Sequence, residues 1–232
     1  MLRIFGAKPS HVCGWQTAAA CAMVALMMLN AGYSDIPEGK LASVVTCLEM
    51  RARPELKVER ADSPWRLRPV PQAPPNWYRE LYRRVGIEWL WTSRLVMPEA
   101  DLAAILNNPA VEIHALAWDG RDEGLLELDF REPGQCELAF FGLTKGLLGR
   151  GAGRWLMNRA IERAWARPIE RFWVHTCTLD HPDALGFYRR SGFVPYERRV
   201  EVMDDPRLTG LAPRTAAPHV PIIETARFGR QS

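Results

Sequence analysis

Residues 148–160 read Leu148-Gly149-Arg150-Gly151-Ala152-Gly153-Arg154-Trp155-Leu156-Met157-Asn158-Arg159-Ala160. Three glycines at alternate positions lead directly into a segment whose apolar residues have helical spacing. The first N–H groups of a helix have no intrahelical acceptor, and the helix dipole adds partial positive charge there. A glycine-rich turn that opens a helix in this way indicates a site for a phosphate or pyrophosphate group.

The spacing of the glycines excludes two common phosphate-binding folds. A P-loop has Gly-Lys-Ser/Thr after its second glycine, whereas Gly151 is followed here by Ala152-Gly153-Arg154. A dinucleotide-binding fold has G-x-G-x-x-G after its first strand, but several predicted strands precede this turn. The turn therefore belongs to another class of phosphate site.

A second motif follows about thirty-five residues later and reads Phe187-Tyr188-Arg189-Arg190-Ser191-Gly192-Phe193. Together the two motifs resemble those of the GNAT acyltransferase superfamily. Its phosphate turn has the pattern Arg/Gln-x-x-Gly-x-Gly/Ala, and its later motif has an Ala, a Leu/Phe-Tyr pair and a Gly-Phe pair. These positions fall on Leu148, Gly151, Gly153, Ala184, Phe187, Tyr188, Gly192 and Phe193. The resemblance covers residues 65–203, with Leu148 replacing the usual Arg or Gln and His181 replacing a common Asn.

The resemblance implies an α/β (α+β) fold with a mixed, mostly antiparallel sheet and helices on both faces. The sheet is expected to splay between its fourth and fifth strands, counted from residues 65–70. Acetyl-CoA is the implied co-substrate, and no metal is expected because its acyl group is already activated. The residues implied to bind it are Phe141, Gly142, Leu143, Leu148, Gly149, Arg150, Gly151, Ala152, Gly153, Arg154, His181 and Tyr188.

Three residues are candidates for proton transfer. Tyr188 is the predicted general acid near the sulfur, and the alternative is an aromatic side chain that only packs beside Phe187. Strand alternation places Glu137 with Ala139 and Phe141 on one face, and the resemblance implies that a glutamate on this strand is the base, acting through water. The alternative is a carboxylate paired with an arginine. His175 has a suitable pKa for the same role, although a histidine in an apolar strand is often a hydrogen-bonded core residue.

Two neighbouring residues receive structural interpretations. Asp180 is predicted to cap the last helix, which begins near Pro182. Cys177 is predicted to be a buried thiol, since direct transfer in this superfamily needs no acyl-enzyme.

Composition limits the setting of the protein. The net charge of +3 is too small, and the arginines too dispersed, to indicate nucleic-acid binding. Five cysteines without a C-x-x-C pair indicate reduced thiols and a cytoplasmic location. The apolar run at 17–29 is too short for a membrane span, so we predict no membrane association. We interpret the run as an upstream extension that forms a loose helix, and the alternative is the core of a signal peptide for export. We predict an N-terminal extension and linker at 1–40, an added strand segment at 41–64, the GNAT domain at 65–203 and a tail at 204–232.

Hydrophobic periodicity and breaker residues predict the order of elements along the chain. The predicted strands are 44–50, 56–60, 65–70, 111–118, 125–130, 136–143, 171–178 and 194–202. The predicted helices are 76–95, capped by Asn76, and then 99–106, 151–166 and 182–191.

The sequence thus predicts an acetyl-CoA-dependent N-acetyltransferase that acts directly on a primary amine of a small molecule or peptide. The partners are acetyl-CoA and the amine acceptor, and a homodimer is possible by resemblance. In the superfamily that the chain resembles, the first helices line the acceptor side, and here their aromatic and acidic residues would suit a small amine with an apolar body; these residues are Tyr78, Glu80, Tyr82, Glu88, Trp89 and Trp91. The alternative is core packing, which is the default explanation for most of the nine tryptophans. The alternative function is a non-catalytic acyl-CoA-binding or regulatory module that retains the fold.

Overall fold

One sheet of seven strands organises the chain from Lys40 to Asp204. The computed structural model describes residue 29 and residues 31–224, so the apolar run at 17–29, apart from Leu29, and residues 225–232 lie outside the described part. The strands are β1 Lys40–Met50, β2 Arg66–Pro69, β3 Val111–Trp118, β4 Arg121–Asp129, β5 Gln135–Leu143, β6 Arg171–Cys177 and β7 Val194–Asp204. Their order across the sheet is β2-β3-β4-β5-β6-β1-β7.

The sheet is mixed and mostly antiparallel, as predicted. Five of its six strand pairs are antiparallel, and only β5 and β6 run parallel. The parallel pair is joined through a helix, which is the connection that two parallel neighbours require.

In the described part of the chain, five α-helices cover the two faces of the sheet, and they are α1 Pro75–Gly86, α2 Ser93–Val96, α3 Glu99–Leu106, α4 Ala152–Ala164 and α5 Ala184–Arg190. On one face, α4 and α5 pack in a cluster that includes Leu128, Leu138 and Phe172. On the other face, α1 and α3 pack in a cluster that includes Leu125 and Ile113. We refer to these surfaces as the α4 face and the α1 face.

The predicted splay between the fourth and fifth strands is confirmed, and it lies between β5 and β6. These strands pair only at Gln135–Arg171, Cys136–Phe172 and Glu137–Trp173. Beyond that point each strand pairs only with its outer neighbour, β5 with β4 through Leu143 and β6 with β1 through Cys177. We call this unpaired region the split. It is bounded by residues 138–143 on one side and by residues 174–177 on the other.

A β-bulge in β5 accompanies the split. Leu138 lies opposite Leu128 and Phe140 opposite Glu127, so Ala139 is an extra residue without a partner on β4. The bulge reverses the alternation, because Phe140 packs on the α1 face while Leu138 and Phe141 pack on the α4 face. The predicted common face of Glu137, Ala139 and Phe141 is therefore wrong.

The strand predicted at 44–50 is observed as β1, and it lies between β6 and β7 inside the sheet. The strand predicted at 56–60 is wrong. That segment docks on α4 instead, because the buried side chain of Asn158 accepts from Lys57 N at 3.2 Å and donates to Lys57 O at 2.7 Å. A side chain that satisfies the backbone in this way replaces a strand partner.

Two predicted helix features are also wrong. The first helix begins at Pro75 with Pro74 at its N-cap and no side-chain cap, so Asn76 lies inside the helix. The helix does not continue to residue 95, because Leu90 has a left-handed backbone with φ of 59°. A short 3₁₀ turn, Ile87–Trp89, precedes this break, and the four-residue α2 follows it.

The chain after β7 packs against the α1 face. Ala212, Ala216 and Ala217 join Leu90 and Leu179 in a third apolar cluster. The buried guanidinium of Arg207 organises the segment by donating to the carbonyls of Ala216, Ala217 and Val220 and to Asp205. None of the helices in the described part of the chain is long and apolar enough to span a membrane.

Candidate functional site

The glycine-rich turn has the backbone that its sequence predicts. Gly149 and Gly151 have φ of 73° and 89°, in the left-handed region that side chains with a Cβ rarely adopt. Gly151 is the N-cap residue of α4. Gly153 differs from both, because a Cβ there would lie at an ordinary 3.8 Å from Leu143 and Phe187. Glycine at 153 is therefore not required by packing within the described chain.

The start of α4 presents unpaired backbone donors. Within residues 31–224, no backbone carbonyl or side chain accepts from the N–H groups of Ala152, Gly153 or Arg154, whereas Trp155 N donates to Gly151 O at 3.1 Å. Three adjacent donors at a helix N-terminus with no Cβ on Gly151 and Gly153 form a cradle that fits an anionic group such as a pyrophosphate.

The side chains around the cradle point in different directions. Leu148 is 45% exposed and contributes no polar group. The Arg150 guanidinium lies 5.4 Å from the ring centre of Trp118, and Arg154 donates to Val58 O at 3.4 Å. The Arg154 side chain also lines a cavity of about 210 Å³ with Arg60, Ser63 and Trp65. The predicted roles of these three residues toward phosphate stay predictions.

Tyr188 lies on the α4 face of the split. Its ring is packed edge to face against Phe187, Phe193 and Phe141, with centroids 5.7, 5.9 and 6.4 Å away. Burial, and after it the charge of Asp180, raise the pKa of the Tyr188 phenol above its ordinary value. The phenol therefore stays protonated at neutral pH and can donate a hydrogen bond.

Glu137 and His175 come together on the α1 face, at the end of the paired part of β5 and β6. Oε1 of Glu137 lies 3.5 Å from Nδ1 of His175, whose side chain is 45% exposed. Burial lowers the pKa of His175, but the charges of Glu137, Asp180 and Glu201 outweigh it and hold the pKa above its ordinary value. His175 is therefore a partly exposed member of an acidic cluster and not a core histidine.

Asp180 has a role that the sequence did not predict. It does not cap α5, which begins at Ala184 with Asp183 at its N-cap. Its carboxylate instead accepts from Thr176 Oγ1 at 2.7 Å, from Cys177 N at 2.9 Å and from Trp91 Nε1 at 2.9 Å. One signal for this role was available in the sequence. Asp180 follows the predicted strand 171–178, and side chains that follow neighbouring parallel strands meet at the same edge of the sheet.

Three further residues that the sequence analysis interpreted are Gly142, His181 and Cys177. A Cβ on Gly142 would lie 2.3 Å from Val85, so close packing by α1 is sufficient to require glycine. The His181 ring lies edge to face on Trp89, with centroids 5.0 Å apart. Burial, and then Asp180, raise the pKa of the Cys177 thiol to about 11, which disfavours a thiolate nucleophile at neutral pH.

Comparison of the sequence with models of protein families identifies the family of this chain. The model of the Acetyltransferase (GNAT) family matches residues 72–193, more than half of the chain. The chain belongs to the GNAT acetyltransferase family. The match contains the split, the glycine-rich turn and Tyr188, while β1, β2 and β7 lie outside it. Curated proteins gave no sequence match.

Solved structures with similar folds are distant in sequence. A conserved protein of unknown function from Staphylococcus epidermidis is 14% identical with a TM-score of 0.52, over 72% of this chain and 64% of its own. A GNAT-family protein from Novosphingobium aromaticivorans is 15% identical with a TM-score of 0.51, over 73% and 68%. A GCN5-related N-acetyltransferase from Sphaerobacter thermophilus is 13% identical with a TM-score of 0.50, over 70% and 52%.

These likenesses establish the GNAT fold and not a substrate. The chain spans less than two thirds of the length of the first and third of these structures. In the described residues, no group of three His, Cys, Asp or Glu side chains is arranged to hold a metal ion.

The contact between Glu137 and His175 makes a prediction for titration. In the Glu137→Gln variant the pKa of His175 should fall, because the nearest charge that favours the imidazolium is removed while burial still opposes it. NMR titration of the His175 ring protons measures this directly. Glu170→Gln, an exposed change before β6, serves as the control. An unchanged pKa of His175 in Glu137→Gln would contradict the assigned cause.

Proposed function

We propose that this chain is an acetyl-CoA-dependent N-acetyltransferase that transfers the acetyl group directly to the primary amine of a small molecule or peptide. The observation that carries the proposal is the split. It opens toward the cradle at the start of α4 on one side and reaches Tyr188, Glu137 and His175 further along. A GNAT-family member with these parts in this order has what direct transfer requires.

Acetyl-CoA would supply an acyl group already activated as a thioester. The N–H groups of Ala152, Gly153 and Arg154 would hold its pyrophosphate, since they have no acceptor within the described chain. The free edge of β5 at Phe141–Leu143 would pair with the pantetheine arm, because that edge has lost its pairing with β6. Leu148 contributes no polar group to this binding.

The amine would approach from the α1 face, where the carboxylates of Glu137 and Asp180 attract its ammonium form. The ammonium first loses one proton to water; the neutral nitrogen then attacks the carbonyl carbon, a C–N bond forms and the C–S bond breaks. The nitrogen loses its second proton to Glu137 or to the neutral form of His175, directly or through water. The departing thiolate takes one proton from water, so transfer to an ammonium releases one proton overall.

Tyr188 would act at the departing sulfur from the α4 face. A phenol with a raised pKa is a weaker acid than a thiol of pKa about 8.5, so full proton release to the thiolate is uphill. Its contribution is therefore a hydrogen bond that strengthens as negative charge develops on sulfur. The cytoplasmic location, which gives access to acetyl-CoA, and a homodimer remain parts of the proposal.

The cradle makes a prediction for Gly153. Gly153→Asp should change the free energy of unfolding by less than about 1 kcal/mol, because a Cβ has room there and an acidic side chain is favourable at a helix N-terminus. The same change should weaken CoA binding at least tenfold, because the carboxylate repels the pyrophosphate at the N–H groups, whereas Gly153→Ala, which the motif accepts, should bind CoA like wild type. Calorimetric titration with CoA and unfolding in urea measure the two effects. Gly146→Asp, at an open position in the preceding 3₁₀ turn, is the matched control. Equal CoA affinity in wild type and Gly153→Asp would rule out the cradle.

The activity itself is tested by release of free thiol from acetyl-CoA with a panel of primary amines. Wild type should release CoA only with an amine, and mass spectrometry should find one added acetyl group on that amine. Tyr188→Phe should lower kcat by about a hundredfold with CoA affinity little changed, as loss of a hydrogen-bond donor to charge that develops in the transition state does. Tyr196→Phe, on β7, is the control. Tight CoA binding without amine-dependent release would favour the non-catalytic binding module.

A further inference from the structure

Trp91 occupies a place that two glycines keep clear. A Cβ on Gly86 would lie 2.4 Å from the Trp91 ring, and a Cβ on Gly142 would lie 3.2 Å from it. Neither glycine has a positive φ. Both positions therefore exclude a Cβ for reasons of space and not of backbone conformation, and the indole is one of the groups that need that space.

The indole reaches from β5 to the end of β6. Its ring packs against Phe140 and Tyr82, with centroids 5.5 and 5.7 Å away. Its Nε1–H donates to Asp180 Oδ1 at 2.9 Å, and Asp180 is itself fixed by Thr176 and Cys177. One rigid side chain therefore connects the two strands at the level where they no longer pair with each other.

Trp91 and Tyr188 lie on opposite sides of the split. The indole packs with the cluster of the α1 face, and Tyr188 packs with the cluster of the α4 face. If the thioester lies in the split, the indole covers it on the side from which the amine comes. The amine can then approach the thioester from the side of Glu137 and His175, past the edge of the indole.

We propose that Trp91 is a specificity-determining residue, a fixed wall on the acceptor side of the split that limits the bulk around the attacking nitrogen. The favoured acceptors are primary amines on an unbranched carbon, and amines on a branched carbon are rejected. This inference rests on the proposed acetyltransferase function. Asp180 acts through Trp91 as a positioning residue, because its carboxylate fixes the orientation of the indole.

The wall is rigid enough to discriminate. Its ring is held by aromatic neighbours on one side and by a hydrogen bond to an anchored carboxylate on the other. A pocket that cannot yield rejects a single additional methyl or methylene group by roughly 10- to 200-fold. Removal of the indole should relieve most of that rejection.

The test compares amines that differ by one methyl group on the carbon bearing nitrogen. The pairs are n-butylamine with sec-butylamine and benzylamine with α-methylbenzylamine. For each protein, the measured quantity is the ratio of kcat/KM for the branched amine to that for the unbranched amine. The ratio is taken within one preparation, so a loss of folded or active protein cancels from it.

Trp91→Ala should raise the ratio at least tenfold. If the alanine variant does not fold, Trp91→Leu takes its place, because it keeps apolar bulk in the core, and it should raise the ratio too. Trp91→Phe should keep the ratio within about threefold of wild type, since a ring still fills the space. Trp77→Ala is the matched control, because the Trp77 indole also donates to an aspartate, Asp122 at 3.0 Å, but that aspartate is at the start of β4, which pairs with β3 and β5 and does not border the split. Its ratio should equal that of wild type.

Turnover with an unchanged ratio in Trp91→Ala and Trp91→Leu would overturn this inference and leave the acetyltransferase intact. A rise of the ratio in Trp77→Ala as large as in Trp91→Ala would also overturn it, because a general loosening of the α1 face would then be the cause. Absence of amine-dependent CoA release from every protein, wild type included, would contradict the proposed function and this inference together.

Discussion

The loss of pairing between β5 and β6 after Glu137 and Trp173 is the constraint on which the site depends. Two parallel strands that stayed paired would form a continuous sheet and separate Tyr188 on one face from Glu137 on the other. Because the strands separate, the inner edge of β5 has no strand partner beyond Glu137. A molecule bound in the split can therefore contact both faces of the sheet. The cradle at the start of α4 follows β5 in the chain, so the phosphate site and the reacting groups lie along one path.

The bulge at Ala139 is fixed from the α1 face by buried charge. Glu127 is fully buried and lies opposite Phe140, the first residue after the bulge. Its carboxylate accepts from Arg94 Nη2 at 2.6 Å and from the hydroxyl of Tyr78, and the Arg94 guanidinium lies 5.0 Å from the centre of the Phe140 ring. A buried ion pair is costly to desolvate, and in some proteins it specifies one arrangement of the groups around it. Here it specifies which face Phe140 takes, and thereby directs Phe141 toward Phe187 and Tyr188.

The sequence predicted the parts of this site that depend on local chemistry. Gly149 and Gly151 were recognisable because left-handed backbone before a helix requires glycine. The splay was predictable only through resemblance, because nothing in the residues 136–143 marks the end of pairing with a strand some thirty residues away. The bulge was not predictable, since strand alternation assumes one residue per partner, and Ala139 has no partner.

The residues that sequence reasoning misread or did not interpret act through long-range contacts. Asp180 has the composition of a helix cap, but its hydrogen bond to Trp91 joins residues 89 positions apart. Asn158 reads as one more polar residue on a helix, yet it takes the place of a strand partner for residues near Lys57. The sequence predicts Gly86 inside a helix at 76–95 and Gly142 in a strand at 136–143, and only the packed structure reveals that both make room for one indole. Such features depend on tertiary neighbours that local sequence does not specify.

The most direct test of the account is a crystal structure of the protein with CoA bound. The account predicts the pyrophosphate at the N–H groups of Ala152, Gly153 and Arg154, and the pantetheine arm between β5 and β6, hydrogen-bonded to the β5 backbone near Phe141–Leu143. The sulfur should lie between Tyr188 and Trp91. CoA bound away from the split, or β5 and β6 paired along their full length with CoA present, would contradict it.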